Sequence, residues 1–483
     1  MNHAKVNDYP YPAGNDLREH NQRASHVTVH TEPGTTVESL QAEVQALQRQ
    51  LRAAQERLTS AELAYSCFVP QQFLHFLSVN DIRAVRLGMQ AERRLSILFS
   101  DIRDFTSLSE TMSPQENFDF LNSYLSQMEP EIVPLHGLID KFIGDAIMAL
   151  FPERADDAVR SALAMLGRLE TYNQGRARAG YVPVRIGIGI NTGLVMLGMI
   201  GGAGRMDGTV ISDSVNLASR LEAMTKVFNV PLLISEHTLY SLENPDQFAV
   251  RFIARSQVKG KNESLSIYEV FDADTAGLRE AKLRTRKRFE EALAFFHTGD
   301  VPRAQVRLLR CLEEAPDDHP VQVYLARCDE YLRTNQAEGV NTVEVTQSWN
   351  EDASSGVGGI DGKHRSLLAQ LNLLTVAIGE QRLKDAVVLL EAISGNALQQ
   401  FAAEESLMQE SFYAFASDHQ HQHACFNKHV AALKAEVASG TENEVYLGFR
   451  IKRLLNDWLI NHSMKSDRHF GQYLQSKRGV DPY

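Results

Sequence analysis

The chain is 483 residues long, with 43% hydrophobic and 23% charged residues, room for about three ordinary domains that can each bury a core. A net charge of -12 excludes nonspecific binding to nucleic acid or to an anionic membrane surface, since both need a basic face, and leaves open a small charged ligand held with metal. Cys67, Cys311, Cys328 and Cys425 lie far apart without a CxxC pair, and neither a leader-like start nor a membrane-length apolar run is present, so the expectation is a soluble cytoplasmic protein.

In chain order, residues 1–36 are polar, carry Pro and Gly and show no period, the pattern of a disordered tail. Within 37–92, Leu40, Val44, Leu47, Leu51, Ala54, Leu58 and Ala61 alternate spacings of four and three. That apolar seam fits a parallel coiled-coil dimer or, alternatively, one amphipathic helix lying on its own domain. The run YSCFVPQQFLHFL that follows reads as a helical joint. Over 93–273 the pattern changes to short apolar runs alternating with helical stretches. The runs are Leu95–Phe99, Leu138–Ile143, Ile147–Phe151, Val184–Ile190, Leu194–Met199, Pro231–Ile234 and Ser266–Val270, bounded by turn signals such as Gly144-Asp145 and Thr192-Gly193. An α+β sheet domain is expected there. Residues 278–334 read as two or three helices broken at Gly299-Asp300 and Ala315-Pro316, similar to one tetratricopeptide-type unit. One unit cannot bury its own face, so the segment reads as a helical connector. Residues 335–359 contain SSGVGG, a flexible linker signature, and 360–478 is helical in period throughout.

Two aspartates stand out. In SILFSDIRDFTSLSE an apolar strand delivers Asp101 at its end with the Ile102 carbonyl beside it, and in LIDKFIGDAIMALF Asp145 sits at the turn of a tight hairpin. Such carboxylates suit Mg²⁺-type ions, which take one or two of them together with phosphate oxygens. Aspartate at a strand end also serves merely to cap or solvate the chain, so the pair alone decides nothing. The surrounding motifs add what the pair lacks: FSDIRDFT, KFIGDAIMALF, TVISDSVNLASRLE and VKGKNESLSIYEV, in this order, resemble the class III adenylate and guanylate cyclases over about Arg93 to Asp272.

That resemblance implies a ferredoxin-like βαββαβ domain in which the ribose 3′ hydroxyl attacks the α-phosphorus and pyrophosphate leaves. Asp101, Asp145 and the Ile102 carbonyl match the ligands of two Mg²⁺ or Mn²⁺ ions. Lys141 matches the lysine that reads adenine, with Thr209 where many members have aspartate. Asn216 would orient the ribose, Arg220 would neutralise charge on the reacting phosphate, and Lys259 would hold the terminal phosphates. The Lys and Thr pairing resembles the bacterial and bicarbonate-responsive adenylate cyclases, whereas guanylate cyclases place Glu and Cys there. An ammonium can donate to adenine N1 and a hydroxyl can accept from the exocyclic amine, while guanine N1–H would meet a second donor, so ATP is the expected substrate. In homodimeric members the metal aspartates come from one chain and Lys141, Thr209, Asn216 and Arg220 from the other, which implies a homodimer.

Further on, His364, Glu404, His419, His423, His462 and Asp467 recur at helical spacings, with His419 and His423 stacked on one face. Four long helices can enclose a diiron site, although the locally His-rich stretch DHQHQHACFNKH also fits a solvated face. The motifs DGKHRSLL, FAAEESLM, HQHQHACF and WLINHSMKSD resemble, in order, the hemerythrin family over about Ile360 to Gln475. The resemblance implies an all-α four-helix bundle whose diiron centre is held by those six residues, Glu404 and Asp467 bridging. The position four before Glu404, normally histidine, is Gln400, and the resemblance assigns it to the iron that binds dioxygen. A glutamine carbonyl is a weaker ligand there, and His421 points to another face.

Together these readings describe an adenylate cyclase whose output a diiron domain tunes in response to O2, NO or redox state, with coupling through the helical connector to the dimer interface. The rival readings are a noncatalytic nucleotide-binding scaffold with a hemerythrin-like oxygen carrier, and a guanylate cyclase.

Overall fold

The structure, a computed structural model, describes residues 37–66, 71–79, 81–202, 204–257, 264–340, 348–349, 353–440 and 443–478. Helix α1 (Val37–Ser66) belongs to a compact unit of its own, residues 1–69. Its seam is exposed, with Leu47 at 58% and Leu51 at 60% of full accessibility.

The second unit spans residues 70–483. After α2 (Gln71–Phe76) come β1 (Gln90–Ile102), α3 (Phe105–Ser109), α4 (Pro114–Met128), β2 (Leu138–Ile143), β3 (Ala146–Phe151), α5 (Ala155–Arg178) and β4 (Ile186–Gly202). Local chemistry sets these boundaries: α4 starts on a capping box between Ser113 and Glu116 with Pro114 in its first turn. The sheet runs β4-β1-β3-β2 through antiparallel ladders, the ferredoxin-like βαββαβ order. Beyond β4 it continues with β6 (Leu232–Ser235), paired in parallel, then β8 (Ser264–Val270) and β7 (Val250–Gln257); β5 (Arg205–Ile211) pairs with the far end of β4. Helices α6 (Asp213–Phe228) and α7 (Glu236–Ser241) complete the domain.

The sequence differs from the structure at Thr192-Gly193. These residues read as a turn between two strands but lie inside the continuous β4. Thr192 faces Ser96 across the ladder with hydroxyls 2.7 Å apart. Gly193 is there for close approach, because a Cβ on it would stand 2.3 Å from the Ser214 hydroxyl at the start of α6.

Helices α8 (Ala276–His297), α9 (Val301–Glu314) and α10 (His319–Thr334) form no separate connector core. Phe289, Leu293, Leu308 and Tyr324 share one apolar core with Leu98, Ile190 and Phe252 of the sheet, and the Tyr324 hydroxyl donates to the Ile253 carbonyl at 2.9 Å. One unit that cannot bury its own face buries it on the sheet.

The C-terminal bundle consists of α11 (Gly358–Gly379), α12 (Leu383–Glu410), α13 (Ala416–Ser439) and a final helix, α14. The last is α-helical over Glu444–Ile451, π-helical over Lys452–Asp457, α-helical over Trp458–His462, π-helical over Ser463–Asp467 and α-helical over Arg468–Arg478. Leu371, Leu390, Phe426 and Leu455 are among the apolar residues that fill the bundle. Part of the stretch expected to be a linker is fixed: Ser355 is buried, and its amide and hydroxyl both donate to Asp361, at 2.8 and 2.7 Å. Among the described residues no helix is long and apolar enough to cross a membrane.

Candidate active site and metal centre

Strand β1, between β3 and β4, carries Asp101 to its carboxyl end, and the Ser100 to Ile147 pairing brings the turn residue Asp145 alongside. The Ile102 amide donates to Asp145 Oδ2 at 3.3 Å. Burial, together with the neighbouring Asp101 carboxylate, pushes Asp145 up to about 6. Two adjacent, partly desolvated carboxylates repel each other and offer hard oxygen donors, the donor chemistry that Mg²⁺ or Mn²⁺ relieves.

Helix α6 presents different residues to its two sides. Toward the aspartates it sends Lys226, whose ammonium lies 3.3 Å from Asp101, and Glu222, raised to about 7 by burial and then by Asp101. Sequence reasoning missed both; their spacing of four, in the same helix that carries SVNLASR, was the available signal. Asn216 and Arg220, exposed and four apart, lie on a cavity wall that includes neither Asp101 nor Asp145. Lys141 lies 3.4 Å from the Asp140 carboxylate, and Asp140 in turn feels the charge of Asp207, so the end of β2 and strand β5, which carries Thr209, are within electrostatic range. Lys259 lies outside the described residues. Within one chain, then, the metal-type carboxylates and the Asn216/Arg220 pair are apart.

All six histidine and carboxylate candidates of the C-terminal bundle converge. Ligand atoms of His419, His423, His462 and Asp467 lie within 4.8 Å of one another, as do those of His364, Glu404 and Asp467. In an α-helix, His462 and Asp467, five apart, would point about 140° from each other; the wider π turn over Ser463–Asp467 lets both face the centre. His364 Nε2 and Glu404 Oε2 are buried without a hydrogen-bond partner, and Asp467 Oδ1 stands 3.1 Å from His419 Nε2 and 3.2 Å from His462 Nε2, a crowded set of ligand-type atoms whose desolvation a bound metal would compensate. Burial drives His419 down to about 4 and His423 well below its ordinary value, leaving the neutral imidazoles that bind metal. Outer contacts orient the rings: His423 Nδ1 lies 2.9 Å from Glu405, His462 Nδ1 lies 3.0 Å from Gln422 Oε1, and Phe401 and Trp458 stack on those two rings. Gln400 is buried, and its amide nitrogen donates to Glu404 Oε1 at 3.1 Å. The residues present therefore fit iron, with the Gln400 side one imidazole short.

Helix α14 also docks directly on the sheet domain. Asp457 pairs with Arg255 at 2.8 Å, Asn461 donates to Glu236 at 2.7 Å, Lys465 donates to His237 at 2.9 Å, and His469 meets Glu92 at 2.8 Å. Arg453 stacks over Phe252 and donates to the Tyr268 hydroxyl. The two domains thus meet face to face.

Comparison with known proteins agrees with this division. The family profile "Adenylate and Guanylate cyclase catalytic domain" matches residues 87–270, and "Hemerythrin HHE cation binding domain" matches residues 355–474. An adenylate cyclase of Anabaena cylindrica is 43% identical over 213 residues, 43% of this chain and 42% of that protein. A terminal-differentiation specific adenylate cyclase of Dictyostelium discoideum is 35% identical over 285 residues, 58% of this chain and 13% of that protein. A bacteriohemerythrin of Stenotrophomonas maltophilia is 27% identical over 128 residues, 26% of this chain and 81% of that protein. The crystal structure of an adenylyl cyclase from P. aeruginosa is 34% identical, covers 38% of this chain and 96% of that chain, and superposes with a TM-score of 0.33. The chain spans less than half the length of the two curated cyclases. It carries an adenylate and guanylate cyclase catalytic domain followed by a hemerythrin HHE cation binding domain.

Proposed function

We propose that this protein is an adenylate cyclase that converts ATP to 3′,5′-cyclic AMP and pyrophosphate at sites shared by two copies of the chain, under the control of its hemerythrin-type domain. The observation that carries the reading is the separation, within one chain, of Asp101 and Asp145 from Asn216 and Arg220. All four belong to the matched catalytic domain, so two copies together complete a site that one leaves divided. The exposed seam of α1 supports a coiled-coil dimer as the means of bringing them together.

Asp101, Asp145 and the Ile102 backbone would hold Mg²⁺ or Mn²⁺, which when bound supplies Lewis-acid stabilisation of the phosphate oxygens. The remaining work falls to side chains. Lys141 and Thr209 select adenine by donating to N1 and accepting from the exocyclic amine. Asn216 fixes the ribose for in-line attack of its 3′ hydroxyl, Arg220 offsets the charge that grows on the α-phosphate, and Lys259 holds the departing pyrophosphate. His364, Glu404, His419, His423, His462 and Asp467 would hold a diiron centre, whose chemistry when bound is the reversible uptake of O2 or NO or a change of redox state; Gln400 leaves one of its metals with the weaker ligand set. We place the functional division at 93–273 for the cyclase and 360–478 for the sensor, in the cytoplasm.

Purified chain supplied with Mg²⁺ or Mn²⁺ and equal ATP and GTP should form cyclic AMP in preference to cyclic GMP. Asp101→Ala and Arg220→Ala should each be inactive alone and regain activity when mixed, because one of the two sites in a mixed dimer is intact. No cyclic nucleotide from the native chain, or no recovery on mixing, sinks the reading.

A further inference from the structure

Across the β1–β4 ladder from Asp101 stands Gly187. A Cβ on Gly187 would lie 2.2 Å from the Thr225 hydroxyl and 3.0 Å from Glu222 Oε1, so the bare glycine lets this face of α6 rest against β4 beside the metal-type aspartates. Glu222 is buried there, and its Oε1 has no hydrogen-bond partner among the described residues. One helical turn further on, Lys226 is half-exposed and its ammonium donates to Asp101 Oδ2 at 3.3 Å.

The charges at this corner are unevenly matched. Asp101, Asp145 and Glu222 act on one another as three neighbouring carboxylates, and the carboxyl end of α6, capped at Asn229, adds the negative end of a helix dipole. A fourth acid, Asp104 at the start of α3, lies 3.7 Å from Arg185. Arg103 is held by a bond to the Val230 carbonyl at 2.8 Å and reaches Glu222 only through its field. Lys226 is the cation in contact with a metal-type carboxylate, and it hangs on a flexible stem of four methylenes. Glu222 already feels its charge, and Glu placed four residues before Lys on a helix is the favourable order for an ion pair. Lys226 thus has two carboxylates within reach, one at the metal-type pair and one on its own helix.

We infer that Lys226 competes with the divalent ion for Asp101, and that Glu222 receives its ammonium when the ion wins. A doubly charged ion between two adjacent carboxylates outbids a single charge, because Coulomb attraction scales with charge. The pair then sets the metal affinity of the site: Lys226 lowers it, and Glu222, by taking Lys226 away, raises it. Both are positioning residues. The inference rests on the cyclase reading and adds to it an internal control of metal binding.

The test is the Mn²⁺ affinity of the full-length protein in the presence of α,β-methylene-ATP, read by electron paramagnetic resonance of the free ion. Only the Mn²⁺ that Asp101→Ala removes is counted, which sets aside any ion in the C-terminal bundle. Lys226→Gln should bind this Mn²⁺ about three- to tenfold more tightly, the range for losing one partly screened charge beside the ion. Lys226→Arg, which keeps the charge, should keep the native affinity. Glu222→Gln should weaken binding in the native chain, and that loss should be at least about threefold smaller when Lys226→Gln is already present, the signature of coupled residues. Equal losses in the two backgrounds overturn the exchange, and so does a Lys226→Gln affinity at or below the native one. Lys226 is half-exposed, so its variants decide the matter even where melting temperature shows that Glu222→Gln does not fold. A native chain that makes cyclic AMP while Lys226→Gln binds Mn²⁺ unchanged overturns this inference alone. Mn²⁺ binding that Asp101→Ala leaves intact overturns it whatever the activity and, where no cyclic AMP forms either, overturns the cyclase reading with it.

Discussion

Replacing Arg251 by methionine asks whether helices α8 to α10 belong to the catalytic domain's core. The guanidinium is fully buried: its Nε donates to Glu269 Oε2 at 2.6 Å, and its two terminal nitrogens donate to the two Asp318 oxygens at 2.6 Å each. In the variant, Glu269 keeps Lys282 at 2.7 Å, but Asp318 at the start of α10 loses both of its bonds while remaining buried. Stranding a buried charge in this way costs about 3–5 kcal/mol. Amide hydrogen exchange in α8 and α10 should accelerate by about two orders of magnitude or more, since each 1.4 kcal/mol is about a factor of ten. The double variant Arg251→Met/Asp318→Leu removes one cation and one anion together, leaves the net charge of the buried cluster unchanged, and should recover most of the loss. Exchange in the single variant within a few-fold of the native chain, or a double variant no slower than the single one, would refute the claim that this pair locks the helices to the sheet.

Two further outcomes follow from buried polar groups. Burial pushes His297 down from 6.5 to about 4, so as pH falls the unfolded chain takes up the proton first. The stability that depends on neutral His297 is complete above about 6.5 and is lost progressively down to about 4, a total of about 3 kcal/mol. His297→Phe should flatten that part of the stability curve in a melting series from pH 7 to pH 4; a curve parallel to the native one refutes the assignment. At the metal centre, Gln400→His supplies the missing imidazole beside Glu404, and iron per chain after dialysis against a mild chelator should rise toward two; unchanged stoichiometry would show that Gln400 does not limit occupancy.

Much of the catalytic domain was legible because its strands are continuous apolar runs and its turn residues are Gly and Asp. The strands that escaped notice are those without that signature: β5 is mostly exposed, and β7 places the charged Arg251 inside the core. Thr192-Gly193 looked like a turn because small polar residues usually punctuate the chain, whereas here they allow α6 to approach β4. Spacing alone left the His-rich stretch open to a solvated face, and the candidate ligands were named by the hemerythrin resemblance; the interval of five between His462 and Asp467 turns both toward one centre only on a π turn. Least visible was the docking of the C-terminal bundle on the catalytic domain. Asn461, Lys465 and His469 carry no sequence signal of their own, and only the fold shows that each has a partner on the sheet domain.

The two-faced geometry of α14 carries a thermodynamic obligation. A rod gripped at one side by His462 and Asp467 and at the other by Glu236 and His237 cannot be strained from one side only. If filling the metal centre changes the affinity for nucleotide by some factor, binding nucleotide must change the hold on metal by the same factor. A chain that reports metal occupancy through its product would therefore also release or retain its metal according to the nucleotide supply, and the rate at which a chelator strips it, with and without nucleotide, measures the same coupling from the opposite end.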